Sequence, residues 1–332
     1  MGYSRLQTYR VVNNNPNEVI GMSPNCGLLA YIVEAKIRNN TFISHSQGRS
    51  IIQRFSNEAI IYNGFHFWGW EKEPSIPNTF FPLDWDDTSK SYDVLFILKE
   101  VGFGNFSFAT EEYMEFLFHR SIYIRTSIKV LNISVNCPYS LALNVFFGVG
   151  SEKISFREDP MVTVALLRML ASHYYCLYLR NENTIKEMLL RLGYLINIYI
   201  ENENIKFEDI SRYYFSFGHF LYRLIEVLDL LNIPLALINI DKTILINVMK
   251  GQNSRFLKSD IVWFYLLKLK FGIVSADFDP KKSISELKDE IVYQHKRLNH
   301  QYYSPNWVKM LLLEELNALT QVSISNKSMK RV

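Results

Sequence analysis

Six apolar stretches in helical register, each opened by a capping signal, constrain what this chain can fold into. They begin near residues 24, 87, 160, 217, 260 and 305. Ser23-Pro24 supplies an N-cap with proline at the first helical position, and Asp159-Pro160 repeats the pattern. Behind these starts lie Leu28, Leu29, Ile32 and Val33; then Tyr92, Leu95, Phe96 and Leu98; then Val162, Ala165, Leu166 and Met169. Phe220, Leu221, Leu224 and Leu228 follow Tyr213-Tyr214-Phe215-Ser216, and Trp263, Leu266, Leu267 and Leu269 follow Ser259-Asp260. Tyr302-Tyr303-Ser304-Pro305 opens the last, which runs to Leu319. Amphipathic segments at Gln47–Ser56, Glu111–Arg120, Glu182–Leu195, Lys242–Met249 and Ile284–Arg297 read as helices returning between them. Successive starts are roughly 43 to 73 residues apart, the length of a helical hairpin with its connections. The expectation is an all-α fold, an α/α toroid of six inner and about six outer helices; an α-solenoid or an irregular bundle fits the same spacing. Residues 1–20 read as a polar arm, 21–320 as one domain and 321–332 as a disordered basic tail. Asn63-Gly64, between short apolar runs, marks a small hairpin or irregular segment near 60–82.

A chain of 332 residues can bury a large core. Its longest apolar runs, Leu189–Ile200 and Leu228–Ile240, are interrupted by Arg191, Asn197, Asp229, Asn232 and Pro234, so no membrane span is expected. That leaves a soluble protein or one resting on a membrane surface. No apolar segment follows the N-terminal charge, so no secretory signal is read. Cys26, Cys137 and Cys176 are odd in number and widely spaced, which suits reduced thiols in a cytoplasmic protein. A net charge of +3 without clustered Lys and Arg, the tail aside, argues against nucleic acid as a partner. Aromatic residues make up 14%. A compositional bias toward Phe and Tyr explains that as readily as a pocket lined with π faces that attract cations.

The chemically sharp stretch is Pro82-Leu83-Asp84-Trp85-Asp86-Asp87-Thr88-Ser89, with three carboxylates in four positions at a helix start. Crowded carboxylates resist full ionisation, so at least one is expected to hold its proton near neutral pH and to serve as a Brønsted acid. A cap needs only one such side chain, and three with a threonine exceed that need. Trp68, Trp70, Trp85, Tyr213, Tyr214 and Trp263 are the aromatic candidates for a pocket, though each alone reads first as core.

The Asp84–Thr88 pattern resembles the Asp-x-Asp-Asp-Thr motif of the class II terpene cyclases. Glu158–Thr163, Tyr213–Tyr222 and Tyr302–Ser304 resemble helix openings in the same superfamily, so the likeness covers roughly residues 60–320. Squalene cyclases and protein prenyltransferase β subunits share its α/α toroid. The resemblance implies that Asp86 protonates the terminal alkene of a linear isoprenoid, flanked by Asp84 and Asp87, with Thr88 hydrogen-bonding the motif and aromatic faces shielding the cation. A diphosphate on the substrate would bring Mg²⁺. Established class II terpene cyclases enclose their cavity between two toroids and this chain has room for one, so a lid, a homodimer or a second subunit would have to close the site. The Gln-Trp repeats of squalene cyclases, an Asp-Asp-x-x-Asp motif and a prenyltransferase zinc set are absent from the sequence.

Two other classes remain open: a toroid that binds an isoprenoid or a partner protein without turnover, and a glycan-processing α/α barrel using Asp84 and Asp86 as its carboxylate pair. The cyclase reading expects a deep apolar pocket ending on Asp86. The binding reading expects a shallow or filled ring centre, and the glycan reading a polar open groove.

Overall fold

The computed structural model describes residues 8–11, 19–22, 26–38, 44–69, 83–100, 102, 106–124, 127–130, 133–136, 141–143, 146–147, 158–211, 213–250, 254–273, 278–288, 291–295, 300–303 and 306–329. These are mostly helical. In chain order the helices are α1 (Cys26–Arg38), α2 (His45–Glu58), α3 (Trp85–Glu100), α4 (Glu111–Ser121), α5 (Pro160–His173), α6 (Tyr175–Arg180), α7 (Glu182–Glu201), α8 (Phe207–Ile210), α9 (Phe217–Leu230), α10 (Lys242–Lys250), α11 (Lys258–Lys270), α12 (Pro280–Ser285) and α13 (Trp307–Met329).

The six apolar stretches become α1, α3, α5, α9, α11 and α13. Each packs on the next in that order, and α13 packs back on α1, so their contacts close on themselves. Their N-termini meet at one end. Gly27 near the start of α1 lies so close to Asp87 in the first turn of α3 that a methyl group at Gly27 would strike the Asp87 carboxyl. Asp159, the N-cap of α5, accepts from Ser211 Oγ at 2.8 Å and Tyr213 N at 3.1 Å, just ahead of α9. Asp260, in the first turn of α11, accepts from Ser216 Oγ at 2.6 Å and Gly218 N at 2.8 Å at the start of α9. The indole N–H of Trp307 donates to Leu28 O at 2.8 Å and ties α13 to α1. The six helices therefore run in the same direction, and the segments between them, including α2, α4, α6, α7, α10 and α12, carry the chain back.

The expected hairpin is present, with Ile60–Tyr62 antiparallel to Phe65–Phe67 around Asn63 and Gly64, both at positive φ. Residues 70–82, including Trp70, lie outside the described residues, as do the Ser23-Pro24 and Ser304-Pro305 caps. Strand content exceeds the expectation. Thr8–Val11 and Val19–Met22 pair with each other inside the stretch read as a polar arm, and Thr8–Val11 also pairs with His300–Tyr303. Ile291–His295 adds a fourth antiparallel strand where a return helix was expected. Only Pro280–Ser285 is helical there, because Ile291-Val292-Tyr293 is β-branched and aromatic and finds a strand partner. Tyr302 and Tyr303 lie in that sheet rather than opening a helix. Further short strands are Ile122–Ile124, Ser127–Val130, Ile133–Asn136, Leu141–Leu143 and Phe146–Phe147. At the other end α13 continues to Met329, across most of the stretch read as a disordered tail. Among the described residues no helix is long and apolar enough to cross a membrane. Of the cysteines, Cys26 is a buried free thiol and Cys176 an exposed one, while Cys137 lies outside the described residues.

The close approach of α9 to α11 yields the first prediction. A Cβ on Gly218 would stand 2.8 Å from Trp263 Cβ and 3.0 Å from the Asp260 carbonyl oxygen, and neither neighbour is the free end of a flexible side chain. Gly218→Ala is expected to destabilise the protein by about 1–3 kcal/mol through overpacking, read as a lower urea midpoint without a change in slope.

Candidate functional site

The Asp motif sits at the N-terminus of α3. Leu83–Asp84 forms a two-residue strand against Phe146–Phe147, and Asp84 N donates to Trp68 O at 3.2 Å, so the chain enters the helix from a fixed direction. Asp84 is the cap: its Oδ1 accepts from Asp87 N at 2.7 Å. Trp85 turns into the core with no exposed surface. Asp87 is buried against α1 at Gly27. Thr88 does not bond the motif carboxylates, contrary to expectation. Its hydroxyl donates to Trp68 O at 2.9 Å and accepts from Trp68 N at 3.0 Å, clipping the helix to the hairpin strand.

Asp86 reaches across to the segment ahead of α9. Its Oδ2 accepts a short hydrogen bond from the Tyr214 hydroxyl, while its Oδ1 is buried and without a hydrogen bond among the described residues. Burial is the main cause that raises its pKa to about 7, assisted by the nearby charge of Asp159 and opposed by the Tyr214 bond and by Lys90 one turn along. The Asp84 carboxyl also lies well above the usual range, because of burial and then the Asp86 charge. Its Oδ2 is buried without a hydrogen bond among the described residues. The expectation of a carboxylate that holds its proton near neutral pH thus has a physical basis in two residues. The Tyr214 phenol is held well above its ordinary value by burial and the Asp86 charge, so it remains a neutral donor.

Below this acid the ring interior is stratified. The next layer is aromatic. The Tyr31 ring meets Tyr214 edge-on at 6.4 Å, His219 at 5.4 Å and Trp307 at 5.9 Å. His219 in turn stacks on Trp263 at 4.5 Å. Burial, then the charges of Arg223 and Lys90, depress the His219 pKa well below its usual value and keep the imidazole neutral. Deeper still, charged side chains from all six helices meet. Lys90 lies 3.6 Å from Glu34 and 3.7 Å from Asp93; Arg168 pairs with Glu34 and lies 3.7 Å from Glu226. Arg223 donates to Glu226 and to Glu315 at 2.8 Å each, and Tyr222 donates to Glu315 at 3.0 Å. Lys270 reaches Glu226 at 4.0 Å. Glu34 to Arg168 and Arg223 to Glu315 join helices that are not neighbours in the circuit, so this network spans its centre.

Of the aromatic candidates, Tyr214 touches the acid directly, and Trp263 belongs to the layer beneath through His219. Tyr213 is buried beside Asp159, to which its backbone N–H donates. Trp68 stands apart: its indole N–H donates to Phe55 O at 2.9 Å, and its ring packs with Phe55, Tyr92 and Phe106, a brace for the hairpin. Sequence reasoning missed Tyr31 and the charged network. The signal was present in α1 as Gly27, Tyr31 and Glu34, spaced four and three apart on one helix face. Among the described residues no group of three or more His, Cys, Asp or Glu side chains is arranged to hold a metal ion.

Comparison with protein-family models, with curated proteins and with solved structures finds no match to this chain.

Proposed function

We propose that the closed circuit of six parallel helices is the inner layer of an α/α toroid, and that the chain is a class II terpene cyclase-like enzyme acting on a linear isoprenoid. The observation that carries this reading is the Asp86 carboxyl, with one oxygen tied to Tyr214, the other buried and without a hydrogen bond among the described residues, and a pKa of about 7. The proton passes from Asp86 to one carbon of the terminal alkene, whose π pair becomes the new C–H bond. The cation left on the other carbon is attacked by a second alkene, closing a ring, and loss of a proton to a base ends the sequence. Asp86 regains its proton from solvent. The faces of Tyr31, Tyr214 and Trp263 offer a cation the quadrupole attraction that water would otherwise replace. A diphosphate group would carry its own Mg²⁺, and no step is assigned to it here. Exclusion of water calls for closure of the N-terminal end by a second copy, a second subunit or a membrane surface.

A specific observation favours a second reading. The charged network fills the centre of the ring, so a deep axial pocket is not what the described residues offer. A toroid that binds an isoprenoid at its N-terminal end without converting it fits that feature.

Product analysis separates the two. Incubation with linear isoprenoids, free, diphosphorylated with Mg²⁺ and epoxidised, is expected to give a cyclic product that Asp86→Asn abolishes by at least about a hundredfold, as for removal of a general acid. Tight binding of these compounds without product in the wild type establishes the second reading instead. Because Asp86 acts in its protonated form, the rate is expected to be full on the acid side and to fall tenfold per pH unit above about 7.

Stability gives an independent check on the same group. A folded-state pKa of about 7 against 3.8 in the unfolded chain means the folded state binds more protons between those values. The contribution of Asp86 is therefore fully present below pH 3.8 and is lost as the pH rises through about 7. Asp86→Asn is expected to flatten the fall in stability over that window and to melt higher than the wild type above pH 7, read by thermal denaturation across a pH series.

A further inference from the structure

The outer wall of the ring carries a second feature, separate from the acid motif. α4 starts where α5 ends: the Tyr174 hydroxyl donates to Ala109 O at 2.9 Å, just ahead of the Thr110 cap. It lies against Phe146–Phe147, the strand paired with Leu83–Asp84, and so spans the wall between the two ends of the ring. One side of α4 is engaged within the chain. Arg180 of α6 bonds Glu115 at 2.8 Å and reaches Glu111 at 3.7 Å, and Asn181 donates to Glu115 at 3.0 Å. The adjoining side presents Glu112, Phe116 and Arg120, four residues apart and all exposed, Phe116 by 50%. Neither Glu112 nor Arg120 forms an ion pair among the described residues. The Phe116 ring is held in place: it stacks on Tyr113 at 6.1 Å, and the Arg120 guanidinium lies over it at 5.4 Å. Tyr113 is itself fixed by a hydrogen bond from Asn63 at 3.0 Å and by the Phe65 ring at 5.3 Å. Beside α4, α6 exposes Tyr175 and Leu179, again four apart. Nine large apolar side chains are exposed among the described residues, and three of them lie on these two short helices. Apolar exposure is therefore concentrated here rather than scattered.

We propose that this face of α4 is an interface for a second copy of the chain, with the two α4 helices paired antiparallel about a two-fold axis at Phe116. The order of residues along the face is its own complement. An acid stands about 6 Å before Phe116 along the helix axis and a base about 6 Å after it. Two-fold pairing at Phe116 sets Glu112 against the partner's Arg120, and Arg120 against the partner's Glu112, with the Phe116 rings meeting between them. The same surface is used on both copies, so each charge that the chain leaves without an ion pair finds an opposite one. The aromatic centre supplies the buried anchor, and the charges fix the antiparallel direction, because parallel pairing would set like against like. Tyr113 flanks the anchor on α4, and Tyr175 and Leu179 extend the apolar surface onto α6. The pairing lies on the outer wall and leaves the acid end of the ring open, so it stands apart from the reading of Asp86.

Sedimentation velocity of the full chain over a range of concentrations tests this, with a thermal melt of each variant to confirm folding. The wild type is expected to show a monomer–dimer equilibrium. Phe116→Ala is expected to raise the dimer dissociation constant at least about tenfold, as for loss of a central aromatic anchor. Glu112→Arg and Arg120→Glu, made singly, are each expected to do the same, because either reversal opposes like charges at both ends of the pairing. The double variant Glu112→Arg/Arg120→Glu restores opposite charges and is expected to recover the dimer. An equimolar mixture of the two single reversals is expected to recover it as well, as a mixed dimer with opposite charges at both ends. A folding defect in either variant cannot produce that recovery. A wild type that stays monomeric at every concentration overturns the proposal. So does a dimer that the single reversals leave unchanged, or one that neither the double variant nor the mixture restores.

Discussion

Six helix N-termini brought together at one end of a ring leave a concentration of unpaired backbone N–H groups and positive dipole ends, and the rest of the structure follows from how that end is satisfied. The chain answers with oxygen acceptors that serve two helices each. Asp159 caps α5 with Oδ1 and holds the entry to α9 with Oδ2. Asp260 bonds Leu257 N at its own helix start and Gly218 N at the next. Ser216 caps α9 while donating to Asp260. Capping is usually a local matter worth about 1 kcal/mol per helix. Here each cap is also a crosslink between neighbours, which fixes the ring's register at the end where the Asp motif lies.

Against that background the members of the motif separate by duty. Asp84 caps, Asp87 packs on α1, Thr88 clips the hairpin, and Asp86 accepts from the Tyr214 hydroxyl. A carboxylate at a helix N-terminus would ordinarily ionise more easily, yet burial outweighs the dipole and the Tyr214 bond and leaves this one near 7. Lys90 and Arg223 lie against the Tyr31 ring, with their charge directed into the network that runs from Glu34 to Glu315. Buried ion pairs of this kind add little net stability, since desolvation offsets most of the attraction, but a mispaired ring would strand several charges at once. The network therefore serves the uniqueness of the ring closure.

How much of this was legible in the sequence differs by level. The helices α1, α3, α5, α9, α11 and α13 were, because each carries an apolar face at the helical period, a signal that acts within a few residues. Asp159 as a cap was legible for the same reason. The strand at Ile291–His295 was not, since its partner at His300–Tyr303 is fixed by pairing with Thr8–Val11, far away in sequence. Strand preference depends on such partners, whereas an amphipathic period depends only on local spacing. A raised carboxyl pKa was legible through the crowding of Asp84, Asp86 and Asp87, but its dominant cause is burial, which spacing alone does not reveal. Tyr31 escaped notice because a lone tyrosine in an apolar helix is indistinguishable from core until its ring is seen among Tyr214, His219 and Trp307.

The layering also restricts how any ligand can approach. A molecule that reaches Asp86 meets Tyr31, His219 and Trp263 directly below, and beneath them the charges of Lys90, Arg168, Arg223 and their carboxylates. An apolar chain pushed along the ring axis would have to desolvate or break those pairs, at a cost of about 3–5 kcal/mol for each partner left unpaired. Lying across the N-terminal end costs none of this. On the proposed cyclase reading, the acid would work at the floor of a surface-facing site rather than at the bottom of a barrel, and the aromatic layer would both present π faces to a developing cation and separate it from the like charges of Lys90 and Arg223.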